Sequence, residues 1–305
     1  MATIYTHKDA NIRKTWGLIT VFLLLIIGLG WILGYLFGSP VILGIAIIWS
    51  IIASVGSYWW SDKLVLALTH AKPIKKEDAP EFYRIVENLS ITAGLPMPRL
   101  YILHEEALNA FATGRNPEHA VVAVTSGLLR RLERVELEGV IAHEMAHIGN
   151  RDMLVSTVVV VLAGIVVLVT DLTFRIMFHG GFGGRRGRDG GGGAVMLIIG
   201  LAVMIIAPFL ATIIKFSVSR KREFLADAQG ALLTRYPEGL ARALEKISQD
   251  TNRLSVANNA TAHLYFENPF KSDRRGGEGV SWFAKLFMTH PPVEERIRAL
   301  GGLQE

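Results

Sequence analysis

Long apolar tracts without a single charge alternate along this chain with segments whose apolar positions recur at helix or strand spacing. Residues 16–37 and 41–61 contain no Asp, Glu, Lys or Arg, and each is close to the ~20 residues that a helix needs to cross the hydrocarbon core of a bilayer. Trp16, Trp31, Tyr35, Tyr58, Trp59 and Trp60 fall near their ends, where aromatic side chains sit at headgroup level. The pair is expected to form a transmembrane hairpin over residues 1–61. A cleaved signal peptide fits less well, because the first tract is long, lacks an Ala-x-Ala-type site before Gly38-Ser39-Pro40 and runs at once into the second. Residues 153–170 and 194–214 form another uncharged pair, expected on length to span the bilayer and not to serve as buried core helices. Residues 174–193 join them as a glycine-rich linker. No strand precedes those glycines and no Gly-Lys-Ser/Thr follows, so they are not a phosphate loop.

Between and after these tracts the pattern becomes mixed. Residues 77–93 read as a helix, with Pro80 in the first turn and Gly94 at the end. Residues 99–103, 109–113 and 120–125 read as short strands. Residues 136–150 read as a helix whose Leu137, Ile141, Met145 and Ile148 share an apolar face, while His143 and His147 lie one turn apart on another. The chain therefore divides into an N-terminal hairpin (1–61), a first part of a polar-faced domain (62–152), a second hairpin (153–216) and the remainder of that domain (217–305).

Composition supports the membrane reading. Hydrophobic residues make up 50% of the 305 residues and charged ones 19%, with a mean hydropathy of +0.35, an apolar excess beyond what a soluble core requires. The net charge of +5 does not point to nucleic acid, because the basic residues flank apolar tracts and are not interleaved with aromatics. Lipid headgroups are the expected anionic neighbour. Lys8, Arg13 and Lys14 precede the first tract, and Lys63, Lys72, Lys75 and Lys76 follow the second. By the positive-inside rule both flanks face the cytoplasm. Arg220, Lys221 and Arg222 agree, whereas Arg175, Arg185, Arg186 and Arg188 in the glycine-rich linker pull the other way. There is no cysteine, so any metal must be held by His, Asp or Glu.

The stretch EGVIAHEMAHIGN, residues 138–150, supplies such a set. Imidazoles at i and i+4 can share one Zn²⁺ through neutral nitrogens, with the intervening Glu144 near enough to take a proton from a bound water. Zinc lowers the pKa of such a water from about 15.7 toward about 7. Glu144 then serves as general base and afterwards as acid toward the leaving amine. A bare H-E-x-x-H recurs by chance, so a third ligand is required. Glu223 can complete a two-histidine, one-glutamate site with water in the fourth position, and Asp227, one turn on, can accept the N–H of a ligating histidine. His143 and His147 lie just before the third apolar tract and Glu223 just after the fourth. A two-helix excursion returns the chain to the side it left, which explains a metal motif at the edge of a membrane segment.

HEMAHIGNRD, together with EFLADAQGA, LNAFATGRNP and THPPVEERI, resembles the HtpX family of membrane-embedded zinc metalloproteases, relatives of the CAAX prenyl endoproteases. The resemblance covers nearly the whole chain, including the order of apolar tracts. It implies a mainly α membrane protein with a gluzincin-like α+β metalloprotease domain, up to four transmembrane helices and a small β-sheet near the active site. It implies one Zn²⁺ per chain on His143, His147 and Glu223, with Glu144 catalytic. It also implies degradation of misfolded or damaged membrane proteins on the cytoplasmic side of a bacterial inner membrane. By the same resemblance Asn109, Ala110, Phe111 and Ala112 form the edge strand that pairs with an extended substrate. His290, before Pro291-Pro292, returns a histidine to the site, where a fourth protein ligand would close the water position. It is more useful there as a donor toward the developing oxyanion.

Rival readings separate on simple features. A prenyl-protein protease uses the same chemistry, but that branch has more spans enclosing a chamber. A channel or transporter needs polar or charged groups at mid-bilayer, where these tracts offer only Ser, Thr and Gly. A catalytically silent zinc scaffold would retain the ligands without turnover.

Overall fold

The structure is a computed structural model and describes residues 4–36, 38–162, 220–257, 261, 264–267, 269 and 291–302. The second apolar hairpin beyond residue 162, its glycine-rich linker and His290 lie outside these residues.

The first apolar tract sits inside a longer helix, α1 (Ile4–Leu36), and the second forms α2 (Pro40–Trp59). Segments Asp9–Ile32 and Pro40–Trp59 are each long and apolar enough to cross a membrane. Gly38, with φ of +62°, turns the chain between them, and Pro40 opens α2 at a position where a missing N–H costs nothing. The two helices approach closely because small residues line the seam. A Cβ on Gly30 would stand only 2.2 Å from the Ala46 Cβ.

After α3 (Ser61–Leu68) comes a four-stranded mixed sheet of β1 (Lys72–Pro73), β2 (Arg99–Leu103), β3 (Ala110–Thr113) and β4 (Val121–Thr125). Its order is β1-β2-β4-β3, with β2 and β4 parallel and the outer pairs antiparallel. The expected strand over 109–113 begins one residue later: Asn109 gives its backbone N–H to the Thr125 hydroxyl, outside the regular ladder, and its side-chain amide to the chain at Glu267. Alternation along β4 sends Val122 and Val124 into a core with the helix α4 (Pro80–Ala93), and Ala123 into a second core with Val65, Phe111 and Tyr265. Both faces of the sheet are covered, which is why β4 is buried along its whole length. The helix expected over 77–93 starts at Pro80. Residues ahead of it form a turn in which Asp78 accepts the Lys75 N–H at 2.8 Å.

Beyond β4 the short α5 (Ser126–Arg131) leads to α6 (Arg134–Gly149). The second of these begins earlier than the expected residue 136 because Glu133 and Glu136 form a capping box. At its far end Arg151 adopts the left-handed region with φ of 57°. That single residue redirects the chain, so that α7 (Asp152–Leu162) leaves at 82° to α6. Leu154, Val158 and Leu162 of α7 pack against Ile19 and Phe22 of α1, while Thr157 bonds Thr113 of β3 at 2.9 Å. The helices α8 (Arg220–Thr234), α9 (Pro237–Gln249) and α10 (Val293–Gly301) complete the described fold. Gly139 and Gly230 let α9 and α8 lie almost backbone to backbone on α6. The result is mainly α, with a small mixed sheet beside a membrane hairpin.

Candidate active site

Helix α6 is buried over most of its length, and the polar residues it buries are His143 and Glu144 together with Glu136 near its start. A buried polar group is tolerated only with a partner, and the partners here come from distant segments. His143 turns Nδ1 toward Asp227 Oδ1 at 2.9 Å. His147 turns Nδ1 toward Asp152 Oδ2 at 3.2 Å. Each ring is thereby rotated so that Nε2 faces the same point, and the two Nε2 atoms lie 3.0 Å apart. Glu223 of α8 closes the triangle, with one carboxylate oxygen 3.6 Å from His147 Nε2 and the other 3.9 Å from His143 Nε2. Potential ligand atoms of the three residues all lie within 4.8 Å of one another.

This donor set fits zinc. Four ligands placed tetrahedrally at about 2.1 Å are about 3.4 Å from each other, and the separations of 3.0, 3.6 and 3.9 Å straddle that value. Both histidines hold their other nitrogen against a carboxylate, the arrangement that fixes the tautomer of a metal-bound imidazole.

The charges around the rings differ. Burial lowers the pKa of His143 to about 4, against the pull of Asp227, so this imidazole is neutral as a ligand must be. Burial also works against charge on His147, but the Asp152 hydrogen bond and the carboxylates of Glu223 and Glu144 outweigh it and raise its pKa to about 9. Protons and a cation therefore compete for the same nitrogen. Asp227 is itself clamped: burial alone would raise it, yet the charge and hydrogen bonds of Arg296 bring it down to about 2. Arg296 donates to both Asp227 oxygens, Nε at 2.8 Å and Nη2 at 2.7 Å, and lies over the Phe266 ring at 4.8 Å.

The expected site residues thus divide. His143, His147, Glu223 and Asp227 are brought together, Glu144 is buried beside them, and His290 lies outside the described residues. Ala110, Phe111 and Ala112 do lie on an edge strand. Part of that edge is used by the chain itself, since the Phe266 N–H donates to the Ala110 carbonyl at 2.8 Å and Asn109 Nδ2 donates to the Glu267 carbonyl at 2.9 Å. The Phe266 ring stands edge-on to His143, 5.0 Å between centroids. An incoming strand would have to take the Ala110 carbonyl from Phe266.

Three participants were not expected. Asp152 follows the motif in HIGNRD and looks like a helix-terminal charge until the bend at Arg151 folds it under His147. Arg296 interrupts the apolar spacing of Val293, Ile297 and Leu300, and a charge on that face was the available signal. Asn11 looked like one more polar residue ahead of the first span.

A buried and a partly buried imidazole, each braced by an aspartate and with a glutamate between them in sequence, form with the Glu223 carboxylate a cluster that could hold a metal ion, as a metal-dependent peptidase requires. The chain belongs to peptidase family M48, whose family model matches residues 76–304. Among its relatives, the "Protease HtpX homolog" of Thermoanaerobacter pseudethanolicus is 43% identical over 304 residues, covering 99% of this chain and 98% of that one. Its counterpart in Syntrophobacter fumaroxidans is 47% identical over 272 residues, or 88% and 92% of the two chains. That of Thermococcus sibiricus is 44% identical over 290 residues, or 93% and 94%. Among solved structures, Ste24p of S. mikatae aligns with a TM-score of 0.47 at 15% identity, over 98% of this chain and 66% of that one, too distant to bear on fold or chemistry. Two helices among the described residues are long and apolar enough to cross a membrane, and the protein is an integral membrane peptidase.

Proposed function

We propose that the chain is a zinc-dependent endopeptidase that cleaves misfolded or damaged membrane proteins at the cytoplasmic face of a bacterial inner membrane. The observation that carries this reading is the convergence of His143 Nε2, His147 Nε2 and the Glu223 carboxylate, with both Nδ1 atoms held by aspartates. The protease names of its relatives support the activity. The apolar helices and the basic residues at their flanks support the location.

One Zn²⁺ bound by these residues would acidify water and polarise the scissile carbonyl. Glu144 accepts the proton of the attacking water on its carboxylate and hands it to the departing amine nitrogen. Asp227 and Asp152 keep the histidine Nδ1 atoms protonated and the rings fixed. His290 donates an N–H to the oxygen on which negative charge develops. The β3 edge beside Asn109 receives the substrate backbone once Phe266 yields the Ala110 carbonyl.

The test uses purified full-length protein in detergent with an unfolded protein substrate. Glu144→Gln keeps its zinc and loses roughly 10²- to 10⁴-fold in turnover, because glutamine fills the space without accepting a proton. Chelation abolishes wild-type cleavage and zinc restores it. Cleavage by the Gln variant at the wild-type rate would overturn the assignment of Glu144. Single cysteines introduced into the cysteine-free chain and labelled from each side of the membrane check the orientation.

A further inference from the structure

The first membrane helix reaches into the metal centre. Asn11 of α1 is buried and donates both amide hydrogens, one to the Asn150 carbonyl at 3.0 Å and one to Asp152 Oδ1 at 2.7 Å. With acceptors on both sides, the amide must point its nitrogen inward. Asp152 uses its other oxygen, Oδ2, for His147 Nδ1 at 3.2 Å. Arg222 Nη1 stands 3.3 Å from the same Oδ1 that Asn11 binds, and Lys14, one turn along α1 from Asn11, adds a second positive charge near this carboxylate.

From this chain of contacts we infer that Asn11 is a positioning residue of the metal centre, acting through Asp152 on His147. A carboxylate held only loosely at one oxygen can pivot about the other. Held by Asn11 at 2.7 Å on Oδ1, Asp152 keeps Oδ2 aimed at the imidazole. Without that amide Oδ1 is left with the longer Arg222 contact at 3.3 Å, the carboxylate can swing toward that cation, and His147 loses the steady partner that fixes its tautomer and the direction of its Nε2. The hairpin is then part of the machinery as well as an anchor: a shift of α1 along its axis is felt at a zinc ligand 136 residues away in sequence. The competing description is that Asn11 only docks α1 onto the end of α6 through the Asn150 carbonyl. In that case its removal would destabilise the fold without passing through Asp152.

The inference rests on the zinc reading above, and its test separates the two. Zinc affinity is measured by chelator competition on full-length protein for wild type, Asn11→Leu, Asp152→Asn, the double variant and Glu223→Ala. Leucine is close to asparagine in size and suits a membrane helix. Losing a partner that orients a metal ligand typically costs about 10- to 100-fold in affinity, so Asp152→Asn should fall in that range and Asn11→Leu toward its lower end. The double variant should bind zinc no more weakly than Asp152→Asn alone, since Asn11 has nothing left to act through. Should Asn11→Leu fail to accumulate, Asn11→Ala, which also removes both donors, replaces it with the same expectations. Unchanged affinity in the Asn11 variant, or losses that multiply in the double variant, would overturn the role given to Asn11. Unchanged affinity in Glu223→Ala would instead overturn the ligand set, and this inference with it.

Discussion

Helices α2 and α6 are both rich in apolar residues, yet they are built inside out relative to one another. In α2 the buried positions are Ser50, Ala53, Ser54 and Ser57, while Ile45, Ile48, Ile51 and Ile52 face outward. In α6 large apolar residues such as Ile141 and Met145 are buried along with His143 and Glu144. The polar groups are satisfied differently too. Ser50 and Ser57 bond carbonyls three residues back in their own helix, both at 2.8 Å. The polar residues of α6 bond across the fold, His143 to Asp227, His147 to Asp152 and Glu136 to Lys246. The local bonds of Ser50 and Ser57 let α2 sit against α1 and present hydrocarbon to lipid. Long-range satisfaction makes α6 depend on several other segments, and that dependence holds reactive groups in place.

The largest expected effect comes from cutting one of those long-range links. Arg296 is fully buried and holds both oxygens of Asp227. Arg296→Met would leave a buried carboxylate without its counter-charge, a change that typically costs about 3–5 kcal/mol. Ser57→Ala, which removes only a bond within α2, should cost under about 1 kcal/mol. Thermal unfolding of the metal-free protein in detergent measures both, and a loss below about 1 kcal/mol for Arg296→Met would mean that Asp227 is paired in another way. Acid supplies a second readout. Asp227 is held to about 2 in the fold against an ordinary 3.8, so its contribution is fully present above 3.8 and fades as pH falls through about 2. The gap between wild type and Arg296→Met should narrow across that window.

Exposed apolar residues carry different meanings in α2 and α4. Ile48 of α2 is 62% exposed and Ile91 of α4 is 76% exposed. If α2 faces hydrocarbon, Ile48→Lys should cost about 2.5–3.5 kcal/mol of insertion free energy. Ile91→Lys, on a helix outside the bilayer, should stay within about 0.5 kcal/mol. Membrane fractionation of the two variants compares them directly, and equal tolerance would contradict the lipid-facing assignment of α2.

How much of this was legible in the sequence follows from the same contrast. Length and lack of charge revealed the hairpin, because a bilayer imposes a length that a chain must show in one dimension. The strands over 99–103 and 120–125 were legible from local pattern and came within one residue. His143, His147 and Glu223 could be grouped because spacing and a two-helix excursion constrain where they return. Asp152, Arg296 and Asn11 could not, since their roles depend on angles that no local pattern encodes. The left-handed Arg151 bends the chain by 82° and carries Asp152 under His147, yet arginine has no preference for that conformation. Arg296 looked like an ordinary charge in a helix until α10 packed its inward face on α8 and α9. The occupation of Ala110 by Phe266 was invisible for the same reason, with more than 150 residues between the partners.

The smallest expected effect is the most selective. Gly139 and Gly230 both let another helix approach α6, but only one does so at the metal centre. A Cβ on Gly139 would stand 2.7 Å from the backbone nitrogen of Leu240 on α9, a helix that carries no ligand, whereas one on Gly230 would stand 3.0 Å from the backbone nitrogen of His143. Gly139→Ala therefore forces α9 off α6 and should cost about 1–3 kcal/mol by overpacking, with zinc affinity unchanged. For Gly230→Ala the contact needs only a few tenths of an ångström of movement, and alanine's better helix propensity offsets up to about 1 kcal/mol of the strain. Stability should then change little. That small displacement, however, separates α8, which carries Glu223, from the histidines it must meet, so zinc affinity should weaken by up to about tenfold. Chelator competition and thermal unfolding on the two alanine variants distinguish these outcomes. If Gly230→Ala lowered stability as much as Gly139→Ala and left zinc binding intact, the α6–α8 contact would be a packing surface like any other and would not set the geometry of the ligands.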